Sequence, residues 1–417
     1  MSKLKNKPAI RFNGFSDSWE QRQIGEVTTK IGSGKTPKGG KDVYLKAGIP
    51  LLRSQNIVNE EVNLSDVVFI SESIDAEMSN SRVYKNDVLL NITGASIGRS
   101  AVYRLSDPAN VNQHVCILRP ELGVNADFIQ LNLTSPNGQK QVDSNQAGSG
   151  REGLNFQQIA KLIFFFPALY EQNAISNIFR SLDNLITLEQ REYSKTVNIK
   201  KAMLEKMFPR EGADRPVIRF AGYTGAWERQ KLNEVTSRIT RKNQNLESTL
   251  PLTISSLHGL VDQITYFNYR VASRDVSNYY LVKKGEFAYN KSYSDGFPFG
   301  SVKRLDRYEM GVLSTLYIVF ALNFEIVDSD YLVSYYETSN WHKQVSERAA
   351  EGARNHGLLN ITATDFFDTE IEFPKELTEQ RQIGTFFKNF DNLISLHQIE
   401  IKKLQNIKKA MLEKMLM

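Results

Sequence analysis

Two long stretches of the chain carry apolar residues at helical and coiled-coil spacing. Residues 171–207 contain no glycine or proline, and residues 379–416 repeat their pattern. The apolar positions are Ile175, Ile178, Leu182, Leu185, Val197, Leu204 and Met207 in the first stretch, and Ile383, Phe386, Phe390, Leu393, Ile401, Leu404, Met411 and Met415 in the second. This spacing predicts two amphipathic helices. At 1.5 Å per residue, each extends roughly 55 Å.

The regions that precede the two helices have a mixed pattern of short apolar runs separated by glycine, asparagine and serine. Strands are predicted at 67–70, 88–90, 115–118, 162–169, 285–290, 299–303 and 312–321. Residues 125–133 and 155–162 have helical spacing. Each half of the chain therefore consists of a mixed domain followed by a long helix.

The chain contains an internal repeat, in which segments of the first half recur 208 residues later. Residues 8–28 and 216–236 are identical at 10 of 21 positions, and residues 171–208 and 379–416 at 22 of 38. The sequences between these segments barely resemble each other. A repeat of this size is a duplicated domain rather than a solenoid unit. A common frame around unlike inserts indicates two related tasks performed on two different targets.

A helix of ten turns needs a partner for its apolar stripe. The simplest partner is the other copy, in an antiparallel pair; the alternative is that each helix packs only on its own domain. We therefore predict an α+β fold with two tandem mixed α/β domains separated by two long helices packed as an antiparallel coiled coil, a pseudo-two-fold internal repeat. The predicted boundaries are 1–170, 171–208, 209–378 and 379–417.

The composition is that of an ordinary globular protein, with 41% apolar and 24% charged residues. The net charge of +5 is mildly basic and does not by itself establish nucleic-acid binding. The single cysteine, Cys116, excludes a disulfide framework and a cysteine metal cluster. No apolar run is long enough to span a membrane, and the N-terminal residues lack the apolar core of a signal peptide. We expect a cytoplasmic protein.

The segment from Gly32 to Thr36 resembles the end of a phosphate-binding loop. The full motif needs a glycine at position 29, where Thr29 stands, and a helix that begins at the Lys35-Thr36 pair. Pro37 disfavours that helix. A flexible basic loop is the favoured interpretation, and a nucleotide site is the alternative.

Two other kinds of loop carry residues suited to DNA. The first follows a predicted strand, at 91–99 in the first half and 290–296 in the second. The second is a glycine-flanked arginine ahead of each long helix, Arg151 in one half and Arg354 in the other. Arginine can clamp phosphate or read guanine in a bidentate fashion. The ordinary alternatives are a hairpin turn for the first kind and an exposed loop arginine for the second.

No pattern in the sequence indicates catalysis. The five histidines form no HxxxH or HxH pattern, so a metal site is not expected. No local signature marks a Ser/His/Asp set, a nuclease centre or an amino-methyltransferase motif. The residues therefore favour a binding protein without chemistry of its own.

The whole chain resembles the specificity subunit of a type I restriction-modification system. The resemblance is carried by the tandem variable regions, which open on Trp19-Glu20 or Trp227-Glu228 and close on a helix. Each helix has Glu-Gln near its start and Lys-Lys-Ala-Met-Leu-Glu-Lys-Met at its end. The segments 93–99 and 112–114 are also similar to those of such subunits, whereas the loop at 290–296 departs from the pattern.

The resemblance implies two target recognition domains that each read one half of a bipartite, asymmetric sequence in double-stranded DNA. It also implies that the helices space the domains and dock two methyltransferase subunits, which two motor-nuclease subunits join. S-adenosylmethionine, ATP and magnesium would belong to those partners, and this chain would bind no cofactor. The DNA contacts expected in the first domain are Lys35, Lys38, Gln55, Asn56, Thr93, Ser96, Arg99, Asn112, Gln113, His114 and Arg151. Those expected in the second are Lys291, Ser292, Tyr293, Ser294, Lys303, Arg354, Asn355 and His356.

Three alternatives remain open at this point. The same scaffold could serve a related system in which cleavage and methylation share one polypeptide. The loop at 29–36 could be a degenerate nucleotide site in an enzyme. The chain could also be a coiled-coil adaptor that does not contact DNA.

Overall fold

The computed structural model describes residues 7–146, 153–255, 258–292, 296–349 and 359–416. The chain divides into two compact units. Unit 1 combines Met1–Gln190 with Ile399–Met417, and unit 2 comprises Arg191–Gln398. Each unit therefore contains one mixed domain together with one half of each long helix.

The first mixed domain alternates short strands with short helices. Its strands are β1 (Glu20–Gln23), β2 (Thr28–Ser33), β3 (Ile49–Leu52), β4 (Ile57–Val58), β5 (Glu61–Val62), β6 (Val68–Ile70), β7 (Arg82–Val83), β8 (Val88–Asn91), β9 (Ser100–Val102), β10 (Ala109–Val111), β11 (Val115–Pro120) and β12 (Ile163–Phe166). Its helices are α1 (Glu72–Glu77), α2 (Ala126–Thr134), α3 (Pro136–Asn145) and α4 (Phe156–Ala160). The long helix α5 (Leu169–Met207) follows.

The second mixed domain has strands β13 (Glu228–Lys231), β14 (Thr236–Ile239), β15 (Leu252–Ser255), β16 (Gly259–Asp262), β17 (Tyr280–Lys283), β18 (Phe287–Asn290), β19 (Ser301–Arg304), β20 (Met310–Leu313), β21 (Ile318–Leu322) and β22 (Glu370–Phe373). Its helices are α6 (Leu232–Val235), α7 (Gln263–Phe267), α8 (Ser329–Tyr335), α9 (His342–Arg348) and α10 (Ala363–Phe367). The second long helix is α11 (Leu377–Met415).

The sheets show which part of the domain is repeated. In unit 1 a four-stranded sheet has the order β2-β11-β8-β9, and in unit 2 the order β14-β21-β18-β19 repeats it. The pair β1-β12 likewise returns as β13-β22. The remaining strands differ: unit 1 has a second four-stranded sheet, β6-β3-β10-β7, where unit 2 has the separate pairs β15-β16 and β17-β20. The common frame is thus one four-stranded sheet and one two-stranded pair, and the inserts differ in the other strands.

Repeated aromatic and aliphatic residues build the core of each unit. Trp19 packs edge-on against Phe128 of α2 with ring centroids 5.8 Å apart, and Trp227 packs against Tyr331 of α8 at 5.9 Å. The core of unit 1 includes Met415 of α11. The core of unit 2 includes Met207 of α5 together with Phe208. The repeated sequence at the end of each long helix is therefore buried core.

The repeated Glu-Gln pair at the start of each long helix holds the N-terminal part of its frame. Glu171 is 1% exposed and binds Arg11 through both carboxylate oxygens, at 2.6 Å from Nε and 2.7 Å from Nη2. Glu379 binds Arg219 in the same way, at 2.6 and 2.8 Å. The next residue, Gln172, accepts a hydrogen bond from the backbone N–H of the residue that caps α2. The motif therefore joins segments that are 160 residues apart in sequence.

The two long helices run antiparallel in each unit. In unit 2, Gln398 donates to the Tyr193 hydroxyl at 3.3 Å, and Lys200 lies 2.5 Å from Asp391. Residue numbers therefore rise along α5 as they fall along α11. In unit 1, Lys408 lies 2.6 Å from Asp183. The predicted antiparallel pairing of helices is confirmed.

Each of these lysines also binds a second carboxylate, which comes from the mixed domain. Lys408 lies 2.8 Å from Glu60, in the turn between β4 and β5, and Lys200 lies 2.6 Å from Glu337, just after α8. We call each group of one lysine and two carboxylates a lysine node. Burial opposes the charge of Lys408, but the two carboxylates outweigh it and raise its pKa. The lysines are 208 residues apart in the repeat, whereas the domain carboxylates come from unrelated elements.

One predicted strand needs correction. The stretch 312–321 is not one strand but parts of β20 and β21, which are separated by residues 314–317. The second long helix also contains a glycine, Gly384. A Cβ atom at Gly384 would lie 2.6 Å from the backbone nitrogen of Tyr331, so only glycine lets α8 approach this closely. Within the described ranges, no helix is both long and apolar enough to cross a bilayer.

Candidate nucleic-acid interface

Loops from both sheets of unit 1 meet at one edge of the domain. Strand β2 ends at Ser33 opposite Cys116, and β8 ends at Asn91 opposite Val115, the first residue of β11. The short connection 112–114 joins β10 to β11 at the same edge. We call this region, formed by residues 34–38, 92–99 and 112–114, the loop edge.

Backbone hydrogen bonds hold the loop edge together. The N–H of Gly34 donates to the carbonyl of Asn112 at 3.2 Å, and the N–H of Ile92 donates to the carbonyl of His114 at 3.0 Å. A Cβ atom at Gly34 would lie 1.7 Å from the carbonyl oxygen of Val111, so this close approach requires glycine. The three loops are therefore fixed relative to one another by their own backbone.

Four side chains form a hydrogen-bonded chain across the loop edge. The Thr36 hydroxyl lies 2.6 Å from Oε1 of Gln113, and Nε2 of Gln113 lies 3.1 Å from Nε2 of His114. The other ring nitrogen of His114, Nδ1, lies 2.6 Å from the Thr93 hydroxyl. One residue from each flanking loop thus braces the exposed Gln113 and its neighbour His114.

Exposed cations surround this chain of hydrogen bonds. Lys35, Lys38 and Arg99 are exposed, and none of them has an acidic partner among the residues that the structure describes. Other arginines of the domain are paired, for example Arg82 with Asp75. Unpaired cations at a rigid loop edge suit contact with a polyanion, because a phosphate backbone supplies the missing negative charge.

Several predicted contact residues have supporting positions instead. Asn56 is 1% exposed and donates from Nδ2 to a backbone carbonyl at 3.0 Å, so it stabilises its own turn. Asn112 is 8% exposed, and its Oδ1 accepts from the N–H of His114. Gln55 is exposed but donates to the carboxylate of Asp66. Ser96 is half-buried within a tight turn. The side chains of Asn56, Asn112 and Gln55 are therefore engaged within the domain, and Ser96 is less accessible than Gln113 of the same loop edge.

In unit 2 the equivalent edge is formed by the segments after β14 and β18 and by the connection between β20 and β21. Lys291 and Ser292 follow β18 and lie at this edge, as predicted. The Lys291 ammonium donates to the Ile361 carbonyl at 3.2 Å. Sequence reasoning missed residues 314–317, which include Thr315 and Leu316, both exposed. The repeated strand order was the only signal that could have identified them.

Lys303 does not lie with these loops. It is within β19, opposite Ala288, and its side chain is largely enclosed. Burial lowers its pKa, and its electrostatic neighbours are the members of the Lys200 node. The prediction required Lys303 to lie in a loop at the end of a strand. The residue belongs to the strand itself, and its side chain faces the long helices.

The remaining predicted contacts fall outside the described residues. They are Arg151, Tyr293, Ser294, Arg354, Asn355 and His356. In unit 1, Gly153 forms a β-bridge with Thr93, and the N–H of Leu154 donates to the Ile92 carbonyl at 3.0 Å. The chain therefore enters the described region beside the loop edge just after position 152.

The geometry around residues 29–36 is not that of a phosphate-binding loop. Residues 28–33 are a strand paired with β11, and no α-helix begins at Lys35 or Thr36. Across the described ranges, no group of three or more histidine, cysteine or acidic side chains could hold a metal ion. Cys116 is buried between strands, and burial raises the pKa of its thiol to about 12.

Comparison with known proteins identifies the family. The profile of the family described as type I restriction modification DNA specificity domain matches residues 16–197 and 262–406. The chain is 28% identical over 169 residues to the EcoBI type I restriction enzyme specificity subunit of Escherichia coli, which covers 39% of this chain and 35% of that protein. It is 24% identical over 211 residues to the putative MjaX specificity subunit of Methanocaldococcus jannaschii, covering 49% of each. The match thus spans at most about half the length of these relatives.

Solved structures share the fold over nearly the whole chain. The S subunit of a type I restriction-modification system from M. genitalium matches with a TM-score of 0.63 at 12% identity, covering 99% of both chains. A chain from a study of the assembly and conformational transition of the type I system matches with a TM-score of 0.52 at 15% identity, covering 95% of this chain and 97% of that one. The predicted fold and family are confirmed by these findings.

Proposed function

Because the chain belongs to the type I restriction-modification DNA specificity family, we propose that each of its two mixed domains reads one half of a bipartite, asymmetric DNA sequence. The first domain would approach DNA with its loop edge. The second would use the equivalent edge, including Lys291, Ser292 and the connection 314–317. Arg151 and Arg354, with Tyr293, Ser294, Asn355 and His356, stay in the proposal as further contacts.

The observation that carries the proposal is the loop edge itself. It combines the unpaired cations Lys35, Lys38 and Arg99 with braced polar side chains that have hydrogen-bonding capacity left over. Cations supply affinity that does not depend on sequence, whereas fixed donors and acceptors supply discrimination between bases. A coiled-coil adaptor without DNA contact would need neither feature.

The frame and the inserts then have separate roles. The sheet, the Glu-Gln pair and the helices recur in both halves, so they would hold each reader in the same way. The inserts differ, so the two half-sites would differ in sequence. Since each long helix has 39 residues and extends roughly 58 Å, the helices would also set the gap between half-sites, as rigid spacers do in other DNA-binding dimers.

The catalytic steps would belong to partners. Two methyltransferase subunits would dock on this chain, and two motor-nuclease subunits would join them for cleavage. S-adenosylmethionine, ATP and magnesium would be bound by those subunits. The relatives support this assignment because they are named as specificity subunits of restriction enzymes. Because the proposed substrate is cellular double-stranded DNA, we propose that the complex works in the cytoplasm.

Methylome sequencing of a host with and without this gene tests the proposal. We expect a split motif with two unlike halves that is methylated only when the gene is present. The complex of this chain with its methyltransferase subunits should bind that motif more tightly than a scrambled duplex. Equal affinity for both duplexes would contradict a reading function. The alanine variant of Lys35 should weaken binding to both duplexes and flatten the salt dependence, because each phosphate contact releases counterions.

A further inference from the structure

Gln113 is the exposed member of the chain of hydrogen bonds on the loop edge, and its amide is held at both ends. Oε1 lies 2.6 Å from the Thr36 hydroxyl, and Nε2 lies 3.1 Å from His114. A glutamine amide has two acceptor sites on oxygen and two N–H donors. The two bonds to the protein use one of each. One acceptor and one donor remain on a side chain that faces solvent.

His114 acts as the brace. When Gln113 donates to Nε2, the proton of the neutral ring is on Nδ1 and is donated to the Thr93 hydroxyl. The His114 backbone is fixed as well, because its N–H donates to Asn112 and its carbonyl accepts from Ile92. Turning the amide over, with the other ring tautomer, again leaves one donor and one acceptor. Gln113 therefore keeps one free donor and one free acceptor in either orientation of its amide.

Among the four bases, adenine has the complementary pattern in the major groove. It presents the N7 acceptor beside the N6 amino donor, whereas guanine presents two acceptors there. A free donor and a free acceptor on one amide match adenine and oppose guanine. We infer that Gln113 reads one adenine of the half-site recognised by the first domain, with His114 and Thr93 as positioning residues. This inference rests on the proposed function.

The second domain offers an internal contrast. Its connection between β20 and β21 stands where residues 112–114 stand in the first domain. It contains Ser314, Thr315, Leu316 and Tyr317, and no amide side chain. Leu316 is 61% exposed. The adenine contact therefore belongs to one half-site only, as expected for an asymmetric target.

The test uses the full chain in complex with its methyltransferase subunits and a duplex that contains the methylated motif. Each adenine of the motif is replaced in turn by 7-deazaadenine, which lacks the N7 acceptor but still pairs with thymine. With the parent complex, one replacement should weaken binding roughly 5- to 150-fold, or about 1–3 kcal/mol, because the Gln113 N–H donor is left at the interface without its N7 acceptor. With Gln113→Ala, that replacement should have no further effect, while the other positions keep theirs.

The positioning role has its own readout. His114→Ala removes one of the two bonds that hold the Gln113 amide, and Thr93→Val removes the bond that orients the His114 ring, so both should reduce discrimination at the same position and at no other. Gln21→Ala is the matched control, because Gln21 is an exposed glutamine on β1, outside the loop edge. It should behave like the parent. Gln113→Glu, which keeps the size of the side chain but lacks the N–H donor, should also lose the effect of 7-deazaadenine, and it decides the matter if the alanine variant does not fold.

The outcomes separate the two proposals. If the Gln113 variants keep the parent's sensitivity at every adenine, or weaken binding to all sequences by the same factor, the assignment of Gln113 is overturned. If the parent complex itself does not distinguish its motif from a scrambled duplex, the proposed DNA-reading function is overturned as well. Non-cognate affinity equal to that of the parent shows that a variant is folded.

Discussion

Replacement of Glu171 by glutamine tests whether the repeated Glu-Gln motif is a structural clamp. Glu171 is 1% exposed and Arg11 is 12% exposed, and two hydrogen bonds of 2.6 and 2.7 Å join them. The substitution keeps the size of the side chain but removes the carboxylate that binds the guanidinium, so that only the weaker influence of Asp17 remains. Removal of one partner from a buried ion pair costs about 3–5 kcal/mol, whereas an exposed pair contributes only about 0–1 kcal/mol.

The free energy of unfolding from urea titrations gives the total cost, and hydrogen–deuterium exchange localises it. The amide proton of Ile10, which donates to the Lys414 carbonyl at 2.9 Å, should exchange at least about 100-fold faster if the clamp contributes about 3 kcal/mol to local stability. Glu379→Gln is the matched variant, because Glu379 binds Arg219 in the same geometry. It should accelerate exchange of the Ile218 amide, which donates to the Lys206 carbonyl at 2.9 Å, and leave that of Ile10 unchanged.

Glu192→Gln is the exposed control. Glu192 lies 3.4 Å from Lys195 on the surface of α5, with 44% of its side chain exposed, and its loss should cost at most about 0.5 kcal/mol. If Glu171→Gln costs no more than this control, the buried pair is not a clamp. The repeated motif would then need another explanation, such as contact with a partner subunit.

Four further predictions concern the two readers. Exchange of residues 1–170 for the matching region of a relative should change one half of the methylated motif in the methylome; a change in both halves would contradict modular reading. Insertion of one helical turn near Thr196 adds about 5 Å and should widen the recognised gap by one or two base pairs of roughly 3.4 Å, and an unchanged gap in an active variant would refute spacing by the helices. Arg151→Ala and Arg354→Ala should each cost about 1–3 kcal/mol in binding and relax one position of one half-site, and parental discrimination in both would exclude them. Gly34→Ala should disturb the loop edge and lower motif affinity more than it lowers the free energy of unfolding, because the added Cβ would meet a backbone carbonyl; parental affinity would contradict this.

The long helices were predictable from sequence because their signal is local. An apolar stripe over ten turns fixes the type of element, and the observed ends differ from the predicted ones by two residues or fewer. The break between β20 and β21 was not predictable in the same way. Residues 314–317 contain no glycine or proline, and the apolar Leu316 and Tyr317 continue the strand pattern through the turn.

The loop edge was predictable in its residue types but not in its contacts. Gln113 and His114 stood out as polar residues between apolar runs, whereas Thr36, which braces Gln113, is 77 residues away in sequence. The burial of Asn56 was also hidden, because the carbonyl that it binds is presented only by the folded turn. Local patterns identify which side chains can bind DNA, and tertiary contacts decide which of them are free to do so.

The lysine nodes show what the long helices require of a mixed domain that is exchanged during evolution. Lys200 and Lys408 belong to the repeated frame, but Glu337 and Glu60 come from unlike inserts and from different kinds of turn. At each node, the helix lysine therefore requires one carboxylate within reach, and different turns of the two mixed domains supply it. Under the proposed function, an exchanged recognition domain would restore this contact with the helices by supplying such a carboxylate from any suitably placed turn.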